Sequence, residues 1–544
     1  MTLHPDAARP DHAAFSAGFD PAMVEAMLQG TLTEGINACV ECVDRHAAAH
    51  PDAVALRWEG ADGARGEVTF AELQAQAARF ANLLAAHGVG PGDRVAGLLP
   101  RIPELLTVIM GTLRAGAVYQ PLFTAFGPKA IEQRLAGSQA RLVVTDAANR
   151  PKLDEVADLP AVVTLGARAG EPDFRAALDA QPDAFDPVMR RGGDLMLMMF
   201  TSGTTGPPKG VGVPLDALPA LAAYMTWGID LRPSDRFWNI ADPGWAYGLY
   251  YAAIGPLLLG QATTFVDGPF DVARTYDVIA RHGITNFAGA PTAYRMMIAA
   301  GTEAAAAVRG RLRVASSAGE PLNPEVMRWF DEHLGCPLHD HYGQTEVAMV
   351  LLNHHGLSHP VRPGAAGRPM PGFALEVVGE DGAILPDGVQ GILAVDKPRS
   401  PLHFFRGYLG REDEVKDARF HLTGDLVERH PDGSYSFVGR SDDLITSAGY
   451  RIGPFDVESC LIEHPAVLES AVVGKPDPER GEIVKAFVVL AAGHEATDAL
   501  AEALRLHVRT RLGAHAYPRE IAFVDALPKT PSGKIQRFLL REAG

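Results

Sequence analysis

The chain has few cysteines, no excess of positive charge and no long apolar run, and each shortage excludes a class of protein. Four cysteines in 544 residues cannot supply a disulfide framework, which favours a reducing compartment, the cytoplasm. Lysine and arginine total 49 against 66 acidic residues, so the net charge of −17 disfavours a nucleic-acid partner. No stretch approaches the roughly 20 apolar residues of a membrane span, and the N-terminus has no signal-peptide pattern. We therefore expect neither a membrane span nor a signal peptide.

Two of the four cysteines, Cys39 and Cys42, form a C-x-x-C motif. No second cysteine or histidine pair follows it at the spacing of a zinc site. The surrounding residues have the pattern of a helix, in which cysteine packs as a small apolar side chain. The sequence therefore assigns no redox or metal role to this motif.

The overall composition is that of a globular protein, with 47% hydrophobic and 21% charged residues. Residues 54–200 alternate strand and helix patterns, among them a helix that begins at Thr69 with a capping box to Glu72. Such alternation predicts parallel β-α-β units. We predict an α/β fold with a large N-terminal domain of mixed sheets, residues 1–440, and a small α+β C-terminal domain, residues 441–544.

One loop combines hydroxyls, glycines and a cation directly after an apolar strand pattern at residues 195–200. Its glycines allow backbone N–H groups to approach an anion, while the hydroxyls and the lysine add donors and charge. The loop predicts a triphosphate cradle whose lysine spacing differs from the Walker pattern of P-loop nucleotidases. Its candidate ligands are Thr201, Ser202, Gly203, Thr204, Thr205 and Lys209.

Three later segments add small or charged groups that suit a nucleotide. Residues 316–321 are small enough to let the backbone approach a flat ring. Residues 339–346 crowd polar groups around an aromatic side chain, and Glu346 is a candidate ligand for Mg²⁺, which prefers carboxylate and phosphate oxygens. The histidines of that segment lack a third partner for zinc. Near the C-terminus, Lys534 on a proline- and glycine-bracketed loop supplies a second anion contact.

Seven segments, taken in order, resemble the adenylate-forming (AMP-binding) superfamily, and within it the AMP-forming acyl-CoA synthetases of short- and medium-chain type. The resemblance extends from about Asn37 to Arg537, and no catalytic segment of the family is missing. The segments are residues 201–210, 318–321, 342–346, 423–425, 439–443, 448–451 and 531–534.

The resemblance implies an enzyme that uses ATP, Mg²⁺ and coenzyme A. Its large domain would bind ATP and the acid, and its small domain would rotate about Asp442 between two half-reactions. The loop at 201–209 would hold the triphosphate, and Asp425 and Arg440 would bind the ribose hydroxyls. Lys534 would bridge the acid carboxylate and the phosphate during adenylation.

The resemblance also implies roles for the remaining matched residues. Thr345 would serve the α-phosphate and Glu346 would hold Mg²⁺, which makes both catalytic together with Lys534. Gly319, Glu320 and Pro321 would line the adenine. The other nucleotide-binding residues implied are Asp340, Tyr342, Gly343 and Gln344. CoA binding and the hinge would use Asp442, Gly449, Tyr450 and Arg451.

The acid is predicted from two positions. Trp245 lies among glycine and proline in the segment 242–248, which fits either a pocket wall or plain packing but resembles the short-chain synthetases. Gly343 occupies the position where acetate-specific members have a bulky tryptophan. We therefore expect a four- to ten-carbon fatty acid, a branched acid or an aryl acid rather than acetate, and expect Gly343→Trp to shift preference toward acetate.

Two other functions stay open at this stage. The chain could load a carrier protein instead of CoA, although no carrier domain is attached, or it could bind a nucleotide without catalysis. Acetyl- or propionyl-CoA synthesis is a further alternative. The expected partners are small molecules, with a homo-oligomer left open, and a lysine acyltransferase or deacylase could act on Lys534 because acylation removes its charge.

Overall fold

The computed structural model describes residues 9–201, 208–415, 418–440, 443–447, 450–478, 480–513, 516–529 and 535–542. Its strands in the first half of the chain are β1 Val54–Glu59, β2 Arg65–Thr69, β3 Arg94–Leu98, β4 Val118–Pro121, β5 Leu142–Asp146, β6 Ala161–Leu165, β7 Leu195–Thr201, β8 Lys209–Pro214, β9 Phe237–Asn239 and β10 Thr263–Val266. Those of the second half are β11 Asn286–Gly289, β12 Val314–Ala318, β13 Leu338–Gln344, β14 Ala348–Leu352, β15 Arg368–Pro369, β16 Leu375–Val378, β17 Gln390–Asp396, β18 Phe420–Arg429, β19 Tyr435–Arg440, β20 Ile445–Ser447, β21 Tyr450–Ile452, β22 Val467–Asp477, β23 Gly481–Leu490 and β24 Glu520–Phe523.

Helices cover and connect these strands. They are α1 His12–Ala17, α2 Ala22–Glu25, α3 Arg45–Ala49, α4 Phe70–Ala86, α5 Pro103–Arg114, α6 Pro128–Ser138, α7 Phe174–Asp179, α8 Leu218–Ala223, α9 Ala246–Gly248, α10 Gly255–Leu258, α11 Val272–His282, α12 Pro291–Ala299, α13 Thr302–Ala306, α14 Pro324–Trp329, α15 Pro454–Ile462, α16 Asp498–Arg511 and α17 Arg537–Glu542.

The first large sheet has the order β6-β5-β3-β4-β7-β8, and its strands are parallel except for β8. The predicted β-α-β alternation is therefore confirmed, as is the capping box in which Thr69 and Glu72 satisfy each other's backbone N–H groups at the start of α4. The apolar pattern at 195–200 is β7. The hairpin of β7 and β8 brings Thr201 opposite Lys209.

The second large sheet has the order β15-β14-β13-β12-β11-β9, and β9, β11, β12 and β13 are parallel. Parallel strands end at the same edge of a sheet, which is where ligands bind in α/β folds. The segments after β12 and β13, which begin at Gly319 and Thr345, therefore lie at one edge. A smaller sheet has the order β10-β1-β2, and Thr264 on β10 donates a hydrogen bond of 2.8 Å to the Phe237 carbonyl on β9.

An antiparallel sheet, β16-β17-β18-β19, follows the two large sheets in the chain. Its last strand, β19, continues through Gly439 and Arg440, the first two residues of the charged segment 439–443. The reason is that Leu426 and Asp425 on β18 pair with them across the ladder. The predicted domain boundary after Arg440 coincides with the end of this strand and stays a prediction.

The last sheet, β21-β20-β23-β22 with β24 beside β23, lies entirely after residue 444. Its apolar core is built from its own residues, among them Val457, Val472 and Leu504. A separate core of this kind is what defines a small α+β unit. Its contact with the large domain includes a hydrogen bond of 3.0 Å between Ser459 Oγ and Asn323 Oδ1. The α/β fold with a large and a smaller domain is thus confirmed.

Candidate active site

Asp425 is the meeting point of three predicted segments. Its Oδ2 accepts hydrogen bonds from the Tyr342 hydroxyl at 2.5 Å and from Gln344 Nε2 at 2.8 Å. Arg440 Nη1 lies 3.5 Å from Oδ1, because β18 and β19 pair these two residues across the ladder. Asp425 is 5% exposed, and charge-assisted bonds of this kind hold a carboxylate in one orientation. The structure therefore brings Tyr342, Gln344, Asp425 and Arg440 together.

The segment after β12 has the backbone that a close approach requires. Gly319 has φ +97°, and the space where its Cβ would lie is open. Glu320 accepts hydrogen bonds from Thr292 Oγ1 at 2.9 Å and from Arg295 Nη2 at 3.0 Å, both on α12. Its carboxylate is thus held by the neighbouring helix, while Pro321 follows it at the same edge of the sheet.

Asp340 is a buried carboxyl group on β13, beside Ser317 on β12. Burial raises the pKa of Asp340 to about 8, against a smaller opposing effect of the Leu322 N–H, which donates to Oδ2 at 3.4 Å. Within the described chain its Oδ1 has no hydrogen-bond partner. At neutral pH this side chain is therefore largely protonated and offers both a donor and an acceptor.

The structure describes the two strands that flank the predicted phosphate loop, β7 and β8. The loop residues Ser202, Gly203, Thr204 and Thr205 lie outside the described residues. Thr201 and Lys209 pair across β7 and β8. The Lys209 ammonium lies 4.9 Å from the ring centroid of Tyr408. The Tyr408 hydroxyl donates to Glu346 Oε1 at 3.0 Å. One tyrosine thus contacts both charged groups that the sequence predicts for the triphosphate and the metal.

Glu346 and Thr345 lie in the turn between β13 and β14. Glu346 is 7% exposed, and the Thr345 carbonyl accepts a hydrogen bond of 3.0 Å from the Tyr250 hydroxyl. Burial, followed by the charge of Glu346 and the bond to it, raises the pKa of Tyr408. Tyr408 therefore stays a hydrogen-bond donor to this carboxylate at neutral pH.

Aromatic side chains surround Trp245. Its ring centroid lies 5.4 Å from that of Phe123 and 5.4 Å from that of Phe126, while its indole nitrogen is buried without a partner among the described residues. Gly343, the second predicted acyl-pocket residue, lies against the backbone of β14. A Cβ there would clash with the carbonyl oxygen of Ala348 and lie 2.7 Å from Met349 Cα. Substitution of Gly343 therefore requires a backbone shift.

The predicted C-terminal residues are described only in part. Asp442, Gly449 and Lys534 lie outside the described residues, while Tyr450 and Arg451 form β21, which pairs with β20. The described residues on either side of 530–534 meet, because Ile535 bridges to Lys529 and the Gln536 N–H donates to the Pro528 carbonyl at 2.9 Å.

Arg537, the first residue of α17, anchors the chain shortly after Lys534. Its guanidinium forms a double hydrogen bond with Glu458, with Nη2 at 2.8 Å from both carboxylate oxygens. Burial opposes the charge of Arg537, but Glu458 and then Asp443 and Glu320 raise its pKa. The segment after Lys534 is therefore tied to α15 and lies within the electrostatic reach of Glu320 at the edge of the large domain.

The sequence reasoning missed several of these residues. Tyr408 follows Gly407, which has φ +119° and would meet Glu412 Cα at 2.5 Å if it carried a Cβ. A glycine beside an aromatic residue in a polar segment is the signal that could have drawn attention to it. Thr292 and Arg295, which hold Glu320, carried no such signal, because their role depends on the packing of α12 against β12.

The two cysteines of the C-x-x-C motif lie in the hydrophobic core. Cys39 and Cys42 are fully buried, and burial raises the pKa of both thiols, to about 12 for Cys39. Over the described ranges, no helix combines the length and the apolar character of a membrane span.

Comparison with known proteins indicates the same family as the sequence motifs. The family model of the AMP-binding enzymes matches residues 43–409, and that of the AMP-binding enzyme C-terminal domain matches residues 456–534. The acetyl-coenzyme A synthetase of Bacillus subtilis (strain 168) is 38% identical over 537 residues, which cover 96% of this chain and 93% of that protein.

Two solved structures are similar over nearly the whole chain. An acyl-CoA synthetase of Brucella canis is 57% identical and covers 98% of this chain and 99% of its own, with a TM-score of 0.80. A benzoate CoA ligase from Burkholderia xenovorans LB400 is 30% identical and covers 93% of this chain and 100% of its own, with a TM-score of 0.83. The chain therefore belongs to the AMP-binding enzyme family and, within it, to the acyl-CoA synthetases.

Proposed function

We propose that this acyl-CoA synthetase activates a carboxylic acid larger than acetate, either a four- to ten-carbon fatty or branched acid or an aryl acid. The acid would react with ATP to give acyl-AMP and pyrophosphate, and CoA would then take the acyl group as a thioester. The observation that carries the nucleotide part is the convergence of Tyr342, Gln344 and Arg440 on the buried Asp425. A fixed carboxylate of this kind suits two adjacent ribose hydroxyls.

The remaining nucleotide contacts follow from the neighbouring edges of the two large sheets. Gly319 offers open space for the flat face of adenine, with Glu320 and Pro321 beside it. Asp340, which is largely protonated at neutral pH, would donate to a ring nitrogen of adenine or accept from its amino group. Thr201 and Lys209 would bind the triphosphate together with the loop that joins them.

Glu346 fits a magnesium ion. It is a nearly buried carboxylate that accepts a hydrogen bond from Tyr408, and hard oxygen donors of this kind, completed by phosphate oxygens, are what Mg²⁺ prefers. When bound, Mg²⁺ would neutralise charge on the triphosphate and stabilise the departing pyrophosphate. Thr345, whose carbonyl is anchored by Tyr250, would place its hydroxyl near the α-phosphate.

Lys534 would lie between the acid carboxylate and the α-phosphate. Two anions repel each other, so attack of one on the other needs a cation between them, which is positioning and electrostatic work. The role is supported by the charge of Glu320, which contributes to raising the pKa of Arg537, because such an effect requires the residues that follow Lys534 to lie near Glu320. Acylation of Lys534 would remove the charge, so a lysine acyltransferase and a deacylase would switch the enzyme.

The second half-reaction would use a different orientation of the small domain. Rotation about Asp442 would replace the Lys534 loop by the segment at 449–451 beside the CoA channel. The mixed anhydride is already activated, so the thiol needs access and orientation rather than further catalysis. We expect this work to take place in the cytoplasm, where the free thiols of the four cysteines stay reduced.

The identity of the acid is supported by the aromatic surroundings of Trp245. Phe123 and Phe126 present apolar faces beside it, which favour an apolar chain or ring over acetate. Initial rates of CoA-dependent AMP formation across straight-chain, branched and aryl acids test the proposal. A highest rate with acetate would contradict it, and pyrophosphate release without thioester would indicate a carrier protein in place of CoA.

A further inference from the structure

Tyr408 lies between two groups that belong to different sheets. Lys209 begins β8 in the first large sheet, and Glu346 follows β13 in the second. Tyr408 comes from a third segment, between β17 and β18. Its ring lies under the Lys209 ammonium, and its hydroxyl donates to Glu346.

The backbone of this third segment is anchored to the hairpin of the phosphate loop. Tyr408 forms an antiparallel bridge with Val211, and the Leu409 N–H donates to the Gly210 carbonyl at 2.8 Å. The Tyr408 ring also packs edge-on against Phe405, with centroids 5.2 Å apart. These contacts fix the tyrosine from both backbone and side chain, so that its hydroxyl has a defined position.

The two contacts use opposite parts of the phenol. The face of an aromatic ring is electron-rich and attracts an ammonium group, whereas the hydroxyl proton is positive and attracts a carboxylate. A rigid side chain that engages both groups holds the ammonium over its ring face and the carboxylate at its hydroxyl. Each charged group then has a defined position toward a ligand that carries both phosphates and a metal ion.

We infer that Tyr408 is a positioning residue for Mg²⁺·ATP, which orients the Glu346 carboxylate for the metal and the Lys209 ammonium for the phosphates. The inference rests on the proposed function, because it takes Glu346 as the metal ligand and Lys209 as a triphosphate ligand. It adds a residue that touches neither the metal nor the nucleotide and acts through the two that do.

Calorimetric titration of the full chain with ATP over a series of Mg²⁺ concentrations tests this role without requiring turnover. The variants are Tyr408→Phe, which keeps the ring and removes the hydroxyl, and Tyr408→Leu, which removes both. Tyr435→Phe is the matched control, because that buried tyrosine on β19 also donates a hydrogen bond of 3.0 Å, to the Leu375 carbonyl, but lies outside the proposed site.

Tyr408→Phe is expected to raise the Mg²⁺ concentration at which ATP affinity is half-maximal by roughly tenfold, the lower end for one lost hydrogen bond to a charged group. Tyr408→Leu should in addition weaken ATP binding without Mg²⁺ by about threefold, because the ring no longer holds Lys209. Tyr435→Phe should match the wild type in both quantities. Thermal unfolding of all variants distinguishes these effects from a general loss of stability.

Unchanged Mg²⁺ dependence in Tyr408→Phe, or an equal change in Tyr435→Phe, would overturn the inference. Pyrophosphate release by the wild type is measured separately with the acid panel. If Mg²⁺·ATP binds with the expected dependence on Tyr408 but no acid gives pyrophosphate, the proposed function fails and the positioning role stands. A wild type that does not bind Mg²⁺·ATP would overturn both.

Discussion

Replacing Arg537 by glutamine should separate the two half-reactions of this enzyme. Arg537 lies three residues after Lys534 and pairs with the buried Glu458 of α15 through two bonds of 2.8 Å and one of 3.2 Å. It also lies 3.7 Å from Asp443, which directly follows the predicted hinge residue. The variant therefore releases one end of the Lys534 loop from both the helix and the hinge.

The cost in stability follows from the burial of the pair. The side chains are 22% and 8% exposed, and two unit charges about 4 Å apart attract by about 4 kcal/mol at an effective dielectric constant of 20. In the variant, Glu458 still accepts the hydrogen bond of 2.8 Å from the Val472 N–H. The folded protein also no longer pays the free energy of burying the guanidinium, which offsets part of the lost attraction. We expect a loss of about 2–3 kcal/mol, toward the lower end for a broken buried pair.

The catalytic effect should fall on adenylation. Acid-dependent pyrophosphate release measures the first half-reaction, and thioester formation from separately prepared acyl-AMP measures the second. A lysine loop held on one side only should lower the first rate by roughly 10- to 100-fold, because misplacement of about 1 Å has effects of that size. The second rate should change by less than about twofold, since the proposed role of Lys534 is confined to the first half-reaction.

Two further variants make the result interpretable. Lys475→Gln breaks a partly exposed ion pair with Glu520 on the same sheet, so it should cost no more than about 1 kcal/mol and change neither rate. Glu458→Gln combined with Arg537→Gln removes the unpaired charge and should recover part of the stability but not the adenylation rate. Equal loss of both half-reactions in Arg537→Gln, or full adenylation by it, would refute the reasoning.

Three other changes have defined outcomes. Asp425→Ala should raise the KM for ATP by roughly 100-fold, for two lost charge-assisted bonds, and leave the KM for the acid unchanged, which steady-state rates will show. Gly343→Trp and Gly343→Ala should both lower the unfolding free energy, by about 1–3 kcal/mol, because any Cβ meets the Ala348 carbonyl; an unchanged melting temperature of Gly343→Ala would contradict this. Burial lowers the pKa of His421 from 6.5 to about 3 in the folded protein. As pH falls below 6.5, the unfolded chain therefore protonates this histidine before the folded protein does, and the free energy of unfolding decreases until pH reaches the folded pKa. Between about pH 7.5 and pH 5.5 this histidine should lower the free energy of unfolding by about 1.4 kcal/mol. Denaturant titrations should show that His421→Gln loses less unfolding free energy over this pH range, by that amount.

The expected result for Gly343 shows how structure changes the use of a sequence prediction. The residue was proposed from the resemblance as the position that sets acyl length, and its substitution by tryptophan as the test. Because β13 and β14 pair with a register shift beside Gly343, the backbone of β14 occupies the space next to it. An acid-preference assay on Gly343→Trp therefore has to be read together with its stability.

Local sequence was sufficient where the signal is local. The capping box of Thr69 and Glu72 and the strand that precedes the phosphate loop depend on neighbouring residues, and each lies where the pattern predicts it. The extension of β19 through Arg440 could not be predicted in this way. It depends on Asp425, a residue on another strand, whose pairing supplies the hydrogen bonds that local charge pattern cannot reveal.

By itself, the sequence determined the α/β class, the order of the motifs and the kinds of groups available for adenylation, because these depend on composition, periodicity and short spacings. Only the tertiary structure decided which of these groups meet. Tyr342, Gln344 and Arg440 converge on Asp425, and Tyr408 comes between Lys209 and Glu346, across separations of many residues in the chain. The physical reason is that strand order and sheet packing, which no single segment contains, set the distances between side chains from different strands.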